Sequence, residues 1–464
     1  MTTNSTTYLT RTQSSGTSDK IGTFSAWIKS PQGNETNSIF SGHTDSSNRI
    51  ALYIGGSGAL TIYGNIANSQ SVYLITNNLL RDVSAWYHIV VAWDTTQGTD
   101  SNRFKIYVNG SQITSFSTAS YPSVDADVYW NKGTTSIVGA RYISSAVNFY
   151  YGSMAMVQFV DGTALGPEYF GSTDSTTGIW TPQASSTISS YGTNGFKLKM
   201  DTATPGADTS GNTNTFTVGG GTPTLTQGSP SNVYATLNPL VTYGTNQNTL
   251  SEGNTTLTGI AYHRPSPPTI SVSKGKWYFE AKALSGTATK WWIGLCDTDY
   301  DTNNQGAIGS TANYIWGYDN TTNAVNQRSQ CIYANDLRDG GGNIAISSIF
   351  SAGGIAVNDI YAMAVDLDNQ KVWYSKNGVW NNGSGGESTT FNASYPDSTN
   401  IDAGRDYLIG IGGENSKFSI NYGEGFFGTT AAGTQADDNG QGLFAYDVPA
   451  GYYALNTKNL EAYG

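Results

Sequence analysis

Residues 86–110 decide the fold, and they read WYHIVVAWDTTQGTDSNRFKIYVNG. Residues 86–93 are apolar and rich in β-branched and aromatic side chains, which favour strands. A polar turn follows, and residues 104–108 again have the composition of a strand. Asn109-Gly110 then predicts a tight hairpin, because a type I′ turn needs positive φ at both central residues and Asn-Gly tolerates it best.

The same order of features recurs at residues 359–380. An apolar run ending in Asp leads into the aromatic run 371–375, and Asn377-Gly378 repeats the hairpin pattern. Helical periodicity is hard to find anywhere in the chain. We therefore predict an all-β protein with two β-sandwiches of the same general architecture. Other predicted strands are residues 24–28, 51–54, 60–63, 276–281 and 291–295.

The composition supports a folded β protein and argues against several function classes. Charged residues make up 12% of the chain, whereas 11 Trp, 30 Tyr and 16 Phe exceed the aromatic content of a disordered chain. A net charge of −11 without a Lys/Arg cluster argues against nucleic-acid binding. No apolar run is long enough to predict a membrane span. The first four residues lack the pattern of a secretory signal, so we expect exposure by another route, such as release of a particle by lysis.

The chain is expected to have four parts. We place the first sandwich at residues 1–200, a linker at 201–249, the second sandwich at 250–428 and a C-terminal tail at 429–464. The linker is rich in small, polar, Pro and Gly residues. We expect it to be partly docked, and the aromatic tail to pack on a domain or a partner, because aromatic side chains are unfavourable in water. The predicted docking residues of the linker are Phe216, Val218, Tyr234 and Leu237.

Two protein families resemble the chain. Residues from Thr7 to about Trp180 resemble a laminin-G or concanavalin-A-like lectin domain, and the motifs are residues 24–28, 86–94, 105–110 and 152–162. Residues 250–428 resemble a SPRY domain, and the motifs are residues 275–280, 292–295, 364–369 and 372–378. Both resemblances imply a concanavalin-like β-sandwich of the jelly-roll type.

The order of these domains is similar to that in structural proteins of tailed bacteriophages, as are residues 232–240 and the tail at 452–460. This resemblance implies a virion protein on the particle surface, a tail-fibre or capsid-fibre component with adhesive domains. Its implied partners are other virion proteins and a host surface glycan or protein. We expect a homo-oligomer whose symmetry comes from sandwich faces or partners, since no coiled-coil heptads occur.

Catalysis has to be considered, because some concanavalin-like folds are glycosidases. Those enzymes need two carboxylates facing each other across the scissile bond. The Glu-x-Asp-x-x-Glu pattern of lectin-like glucanases does not occur, and His88 lies in an apolar strand, where a structural role is expected. We therefore expect no enzyme activity. The alternatives are a purely architectural capsid or tail decoration protein and, third, a polysaccharide depolymerase.

Sugar recognition uses aromatic faces together with planar amides or carboxylates. In the first sandwich the candidates in loop-like places are His43, Trp130, Asn131, Tyr142, Tyr150 and Tyr151. In the second, at the positions of the variable SPRY loops, they are Tyr314, Trp316, Tyr318, Tyr333 and Trp380. Each of them could instead fill the core or an interface.

One acidic segment is a candidate calcium site. Asp297, Asp299 and Asp301 offer alternating oxygen ligands of the kind that Ca²⁺ prefers, although an ordinary Asp-rich turn has the same composition. No other cofactor is expected. The two cysteines, Cys296 and Cys331, are too few for a disulfide framework, and Cys296 is predicted to be a buried free thiol.

Overall fold

Both Asn-Gly pairs form the predicted hairpins. Asn109 and Gly110 have φ values of 48° and 79°, and Asn377 and Gly378 have values of 52° and 77°. Two successive positive φ values are the property of a type I′ turn, whose twist matches that of the flanking strands. The local sequence therefore sets the strand connections at both places.

The computed structural model describes residues 6–297 except 30–35, 133–134, 184–187, 202, 241–247, 260–263 and 287–290; between 298 and 354 it describes six short strands, and it then describes residues 355–464 except 383–385 and 400. The chain divides into two compact units, Met1–Leu225 with Ser229–Ser231, and Thr226–Gly228 with Asn232–Gly464. Both are β-sandwiches, which confirms the predicted fold class. No helix of the described residues is long and apolar enough to cross a membrane.

The strands of the first unit follow one another in chain order: β1 (Tyr8–Thr12), β2 (Ile21–Lys29), β3 (Asn37–His43), β4 (Arg49–Ile54), β5 (Ala59–Ile66), β6 (Ser69–Leu79), β7 (Trp86–Asp94), β8 (Phe104–Val108), β9 (Ser111–Ile113), β10 (Phe116–Ser120), β11 (Thr135–Val138), β12 (Arg141–Tyr142), β13 (Ala146–Val147), β14 (Ser153–Asp161), β15 (Gly171–Thr173), β16 (Trp180–Pro182), β17 (Phe196–Leu198) and β18 (Thr217–Gly219).

Two sheets enclose the core of the first unit. The larger sheet has the order β10-β6-β5-β4-β3-β11-β1-β18, and the smaller has the order β17-β14-β2-β7-β8-β9. Phe24 of the smaller sheet stacks on Phe40 of the larger one, with ring centroids 4.5 Å apart. Because side chains alternate along a strand, each sheet has one face in this core and one outer face.

The outer face of the smaller sheet is covered by the chain itself. Phe170 and Tyr191 pack on Val90 and Val160, which point out of that sheet. Trp180 lies on the same side, where its indole N–H donates to Nδ1 of His88 over 3.0 Å. The segment that follows β14 therefore makes this face part of the interior.

The strands and the helix of the second unit follow in chain order: β19 (Thr249–Ser251), β20 (Thr256–Thr258), β21 (Arg264–Ser266), β22 (Lys276–Ser285), β23 (Trp291–Asp297), β24 (Tyr314–Ile315), β25 (Tyr318–Asp319), β26 (Ala324–Val325), β27 (Ser329–Tyr333), β28 (Asp336–Asp339), β29 (Gly342–Ala345), β30 (Ile360–Asp366), β31 (Lys371–Lys376), β32 (Val379–Asn381), β33 (Glu387–Ser388), β34 (Tyr407–Gly413), β35 (Lys417–Asn421), β36 (Phe426–Phe427), β37 (Thr430–Ala431), β38 (Tyr453–Ala454) and α1 (Thr457–Tyr463).

The second unit also has two main sheets. One has the order β19-β20-β35-β22-β30-β31-β32-β33, with β38 added in parallel to β22, and the other has the order β21-β34-β23-β27-β28-β29. The outer face of the first of these is covered by chain segments that precede and follow the sandwich, and an aromatic layer forms there. The sheet contributes the buried side chains of Tyr278, Trp373 and Trp380, and the covering segments contribute those of Tyr234, Phe444 and Tyr452.

The predicted linker and tail are packed for most of their described length. Phe216 lies in the core of the first unit, and Leu237 lies in the core of the second. Tyr234 is buried in the aromatic layer of the second unit, whereas Val218 is 46% exposed on β18. In the tail, Phe444, Tyr452 and Leu455 are buried. Apolar side chains in these two segments thus complete the two units.

Candidate functional site

A depression lies on the outer face of the larger sheet in the first unit. In β4, Ile50, Leu52 and Ile54 belong to the core, so the alternating side chains of Arg49, Ala51 and Tyr53 point the other way. Tyr63 of β5 and Tyr73 of β6 alternate in the same manner with core residues of their own strands. The outer face therefore presents aromatic and cationic groups.

Strand register determines the shape of the depression. Ser41, Ala51, Tyr63 and Tyr73 lie opposite one another on four neighbouring strands. The small side chains of Ser41 and Ala51 leave room beside the two tyrosines. The rings of Tyr63 and Tyr73 meet edge to face at 5.2 Å and 87°. In this row, the small side chains form the floor of the depression and the two tyrosines form one wall.

The hairpin of β12 and β13 forms the opposite rim. The ring of Tyr142 stacks on His43 of β3 at 3.8 Å and 5° between planes. Arg141 donates from Nε to Oδ1 of Asn148 over 2.9 Å, and its guanidinium lies 5.0 Å from the ring centroid of Tyr53. That distance is within the range of a cation–π contact. The rim is therefore fixed to the sheet by two ring contacts.

We call this depression the tyrosine pocket. It has a volume of about 240 Å³ and is lined by Ser41, Gly42, Arg49, Ile50, Ala51, Tyr53, Tyr63, Tyr73, Arg141, Tyr142 and Ile143. The volume is below the roughly 300–1,000 Å³ of pockets for drug-sized ligands, so it suits a group of about the size of one sugar ring. Among the residues that the structure describes, no carboxylate lines this pocket.

The hydroxyl of Tyr53 keeps its proton in the pocket. Burial raises the pKa of Tyr53, and the opposing effect of the Arg141 charge is smaller. A neutral phenol can both donate and accept, while its ring offers an apolar face. The pocket thus combines aromatic surfaces with hydroxyl and guanidinium donors.

Two of the predicted ligand-binding residues are core residues instead. Trp130 is fully buried and packs on Phe40 and Trp93, with centroids 5.8 and 5.1 Å away. Asn131 is also fully buried, and its Nδ2 donates to the backbone oxygen of Ser18 and to Asp161. Their prediction as ligand-binding residues is corrected, because the chain before β11 turns inward and places both side chains in the interior.

The remaining candidates of the first unit have different environments. Tyr142 lines the tyrosine pocket, and His43 supports it through the ring stack while being only 8% exposed. Tyr151 is 41% exposed and is not among the residues that line the pocket. Tyr150 is buried and donates to the backbone oxygen of Lys29 over 2.8 Å, so it is structural.

In the second unit, Trp380 is corrected to a packing residue. It is 4% exposed and packs on Tyr278 and Phe391, with centroids 6.4 and 5.0 Å away. The C-terminal tail covers the sheet face on which it lies. Tyr314, Tyr318 and Tyr333 lie on β24, β25 and β27, but their side chains, like all of Trp316, are outside the described residues.

The candidate calcium segment is described only at its start. Asp297 ends β23 opposite Tyr407, whereas Asp299 and Asp301 lie outside the described residues. Within the described parts of the chain, no group of three or more His, Cys, Asp or Glu residues could hold a metal ion. Calcium binding at this segment stays a prediction. Cys296 and Cys331 lie on neighbouring strands but not opposite each other, since Cys296 is opposite Ser329 and Cys331 is opposite Gly294.

A buried serine–histidine pair has the wrong polarity for nucleophilic catalysis. Ser25 Oγ lies 2.8 Å from Nε2 of His88, but Nδ1 of the same ring accepts the indole N–H of Trp180. Because an indole nitrogen can only donate, the proton of the neutral imidazole is on Nε2 and is donated to Ser25. His88 therefore cannot remove a proton from Ser25. Burial lowers the pKa of His88 to about 3, which agrees with a neutral ring.

Most residues of the tyrosine pocket are not among the predicted ligand-binding residues. The predicted residues are in loop-like places, whereas Arg49, Tyr53, Tyr63 and Tyr73 lie within strands. Strand alternation is the sequence pattern that identifies these residues, since each is directly adjacent in sequence to an aliphatic residue of the core. The position of Arg141 beside Tyr53 depends on tertiary structure and has no local pattern.

Comparison with known proteins assigns a family to a part of each unit. Residues 3–168 match the model of the Concanavalin A-like lectin/glucanases superfamily, and residues 276–393 match the SPRY domain. A comparison with curated proteins gives no match.

Solved structures similar to the chain include three of different kinds. The SAP-like pentraxin of Limulus polyphemus is 20% identical, with 35% of this chain and 74% of the pentraxin covered and a TM-score of 0.27. The SPRY domain of human HERC1 is 13% identical, with 37% and 91% covered and a TM-score of 0.24. The CBM40 domain of the Ruminococcus gnavus IT-sialidase is 14% identical, with 32% and 79% covered and a TM-score of 0.25. Values of this size carry no information about the ligand of this chain.

The chain thus contains a domain of the Concanavalin A-like lectin/glucanases superfamily at residues 3–168, followed by a SPRY domain at residues 276–393.

Proposed function

We propose that this protein is a non-catalytic carbohydrate-binding protein and that its ligand occupies the tyrosine pocket. The observation that carries the proposal is the contrast between the two outer faces of the first unit. One is covered by residues around Phe170 and Trp180, whereas the other has a pocket lined by four tyrosines and two arginines. The superfamily match at residues 3–168 supports the same function.

The chemistry of the pocket suits a pyranose ring. The apolar face of a sugar packs on aromatic rings, and its hydroxyls need donors and acceptors at fixed positions. Tyr63 and Tyr73 present ring surface beside the small residues Ser41 and Ala51, and Arg49 and Arg141 supply N–H donors. None of the described lining residues is a carboxylate, whereas a glycosidase needs two, so we rank the depolymerase alternative last.

A glycan array probed with the purified full-length chain tests the proposal. We expect selective binding to a subset of glycans, reduced about tenfold or more in affinity by Tyr63→Ala, because loss of one aromatic contact of about 1.4 kcal/mol has this effect. Tyr169→Ala is the matched control, since Tyr169 is 37% exposed in the same unit and does not line the pocket. Unchanged binding by the Tyr63→Ala protein would rule out the tyrosine pocket as the site.

For the biological setting we propose a virion-surface fibre component, on the resemblance of the domain order to structural proteins of tailed bacteriophages. Such a protein would meet other virion proteins on one side and a host glycan or protein on the other, as a homo-oligomer. Gold-labelled antibodies against the chain should decorate the tail or the capsid surface of intact particles. If the antibodies label the particles but the chain binds no glycan, the purely architectural decoration protein is favoured.

A further inference from the structure

We infer that the tyrosine pocket selects sugars that carry a negative charge, as a carboxylate or a sulfate ester. The inference rests on the proposed carbohydrate-binding function and specifies the ligand class. It follows from the placement of two guanidinium groups, Arg49 and Arg141, in the lining of one small pocket.

No described carboxylate neutralises either arginine. Among the described residues, no carboxylate oxygen lies within 4.0 Å of Arg49 or Arg141, and the lining contains no acidic side chain. The chain as a whole has 34 acidic and 23 basic residues, so two unpaired cations in one pocket contrast with its general charge. An anionic group of a ligand would supply the missing countercharge.

Arg141 is positioned before a ligand arrives, and Arg49 reaches towards the same rim of the pocket. Arg141 uses Nε to hold Asn148, which fixes the guanidinium plane beside Tyr53. Arg49 makes a long contact of 3.4 Å from Nη1 to the backbone oxygen of Ile143 on the opposite rim. A guanidinium has five N–H donors, so these two bonds leave donors on both groups. A planar fork of donors matches a carboxylate or a sulfate in a two-point contact.

Partial burial makes this recognition selective. Arg49, Arg141 and Tyr53 are all half-buried, so a ligand anion between them is less screened by water and salt than on an open surface. Hydrogen bonds to charged groups are about twice as strong as neutral ones. We expect an acidic sugar to bind about 10- to 100-fold more tightly than its neutral counterpart.

Ligand-observed NMR titration of the full-length chain tests the inference with free sugars. The probes are glucuronic acid and N-acetylneuraminic acid for the carboxylate, galactose 6-sulfate for the sulfate ester, and glucose and galactose as neutral counterparts. We expect at least one acidic probe to bind about tenfold or more tightly than the neutral sugars, and to lose affinity as salt rises from 50 to about 500 mM. Which acidic probe binds distinguishes the two anions.

Substitutions separate charge recognition from a structural role. Arg49→Gln and Arg141→Gln lie on different elements, and each should weaken binding of the acidic probe about tenfold or more and binding of neutral sugars by a smaller factor, so that the preference for the acidic probe is lost. Arg141→Lys should keep part of the preference, because it retains the charge and loses the fork. Arg81→Gln is the matched control, since Arg81 is exposed and lies outside the pocket.

Two outcomes overturn different statements. If neutral and acidic sugars bind equally and Tyr63→Ala abolishes both, the charge inference is wrong and the proposed function stands. If no sugar binds to the chain on the array or in solution, the proposed function itself fails, and the inference fails with it.

Discussion

His88 is the residue whose environment is most fully specified. It is buried between Trp27, whose ring stacks at 4.7 Å, and Trp180, which donates to Nδ1, and it contacts Ser25 through Nε2. Protonation would put a donor against the indole N–H and a charge into an apolar layer. The ring is therefore a structural, neutral group, as expected for a histidine inside an apolar strand.

This environment makes the first unit sensitive to acid. The pKa of His88 falls from an ordinary 6.5 to about 3 in the folded state. The unfolded chain then binds a proton below about pH 6.5 and the folded chain does not, so the free energy of unfolding decreases as pH falls from 6.5 towards 3. Between pH 7 and 5.5 we expect the free energy of unfolding of the first unit to fall by about 1 kcal/mol, measured by denaturant unfolding followed with a probe in that unit. A His88→Gln protein should lack this loss; an equal loss in that variant would show that another group titrates.

At the next scale, the C-terminal tail is an element that one carboxylate attaches to β22 and that a second carboxylate holds together internally. Glu280 on β22 accepts hydrogen bonds from the backbone nitrogens of Ala445 and Tyr446 at 2.8 and 2.9 Å. Asp437, within the tail, accepts from the backbone nitrogen of Ala454 at 3.0 Å and from Nδ2 of Asn459 at 2.8 Å. The tail is thus held by backbone hydrogen bonds as well as by its aromatic side chains.

Glu280→Gln should release part of this attachment. Each carboxylate oxygen accepts a backbone N–H, so the amide must turn its NH₂ group against one of these donors. An unsatisfied buried group costs about 1–3 kcal/mol. We expect faster proteolysis within residues 429–464 and a lower unfolding temperature of the second unit. Glu387→Gln, an exposed position on β33, is the control. Wild-type protease resistance in the Glu280→Gln protein would contradict the role of this carboxylate.

The same residue predicts a pH dependence of opposite sign to that of His88. Burial raises the pKa of Glu280 from 4.5 to about 7. The folded chain therefore binds the proton of Glu280 more tightly than the unfolded chain does. The resulting stabilisation, on the order of 3 kcal/mol, is complete below about pH 4.5 and is lost as pH rises through about 7. Burial likewise raises the pKa of Asp397 to about 6, so its titration changes the free energy of unfolding in the same direction. Unfolding from pH 5 to 8 should show a shallower decline in Glu280→Gln than in wild type; parallel curves would contradict the assignment.

The hairpin of β12 and β13 is the element that forms the rim of the tyrosine pocket. Its Tyr142 is held by the ring stack on His43. Tyr142→Ala should weaken glycan binding several-fold, because the rim loses this contact, whereas Tyr142→Phe keeps the stacked ring and should bind within about threefold of wild type. Isothermal titration with the strongest array ligand measures both. Equal losses in the two variants would assign the effect to the hydroxyl rather than to the stack.

For the whole molecule, the architecture could be predicted from the sequence and most of the site could not. Strand alternation and the two Asn-Gly pairs depend on local chemistry, so they predicted the strands around Trp93 and Trp373. A single aromatic side chain has no such local marker. Trp130 was expected at a ligand and is in the core, whereas Tyr63 lies in a strand and lines the pocket. The difference depends on which face the other sheet covers, and this is a tertiary property.

In the proposed function, a glycan binds to the open face of the larger sheet in the first unit. Hydrogen–deuterium exchange of the full-length chain, with and without the tightest array ligand, tests it most directly. We predict slower exchange in β4, β5 and β6 and in residues 141–147, with no change in the second unit. Protection confined to the second unit, or to the covered face around Trp180, would contradict the account and place the binding site elsewhere.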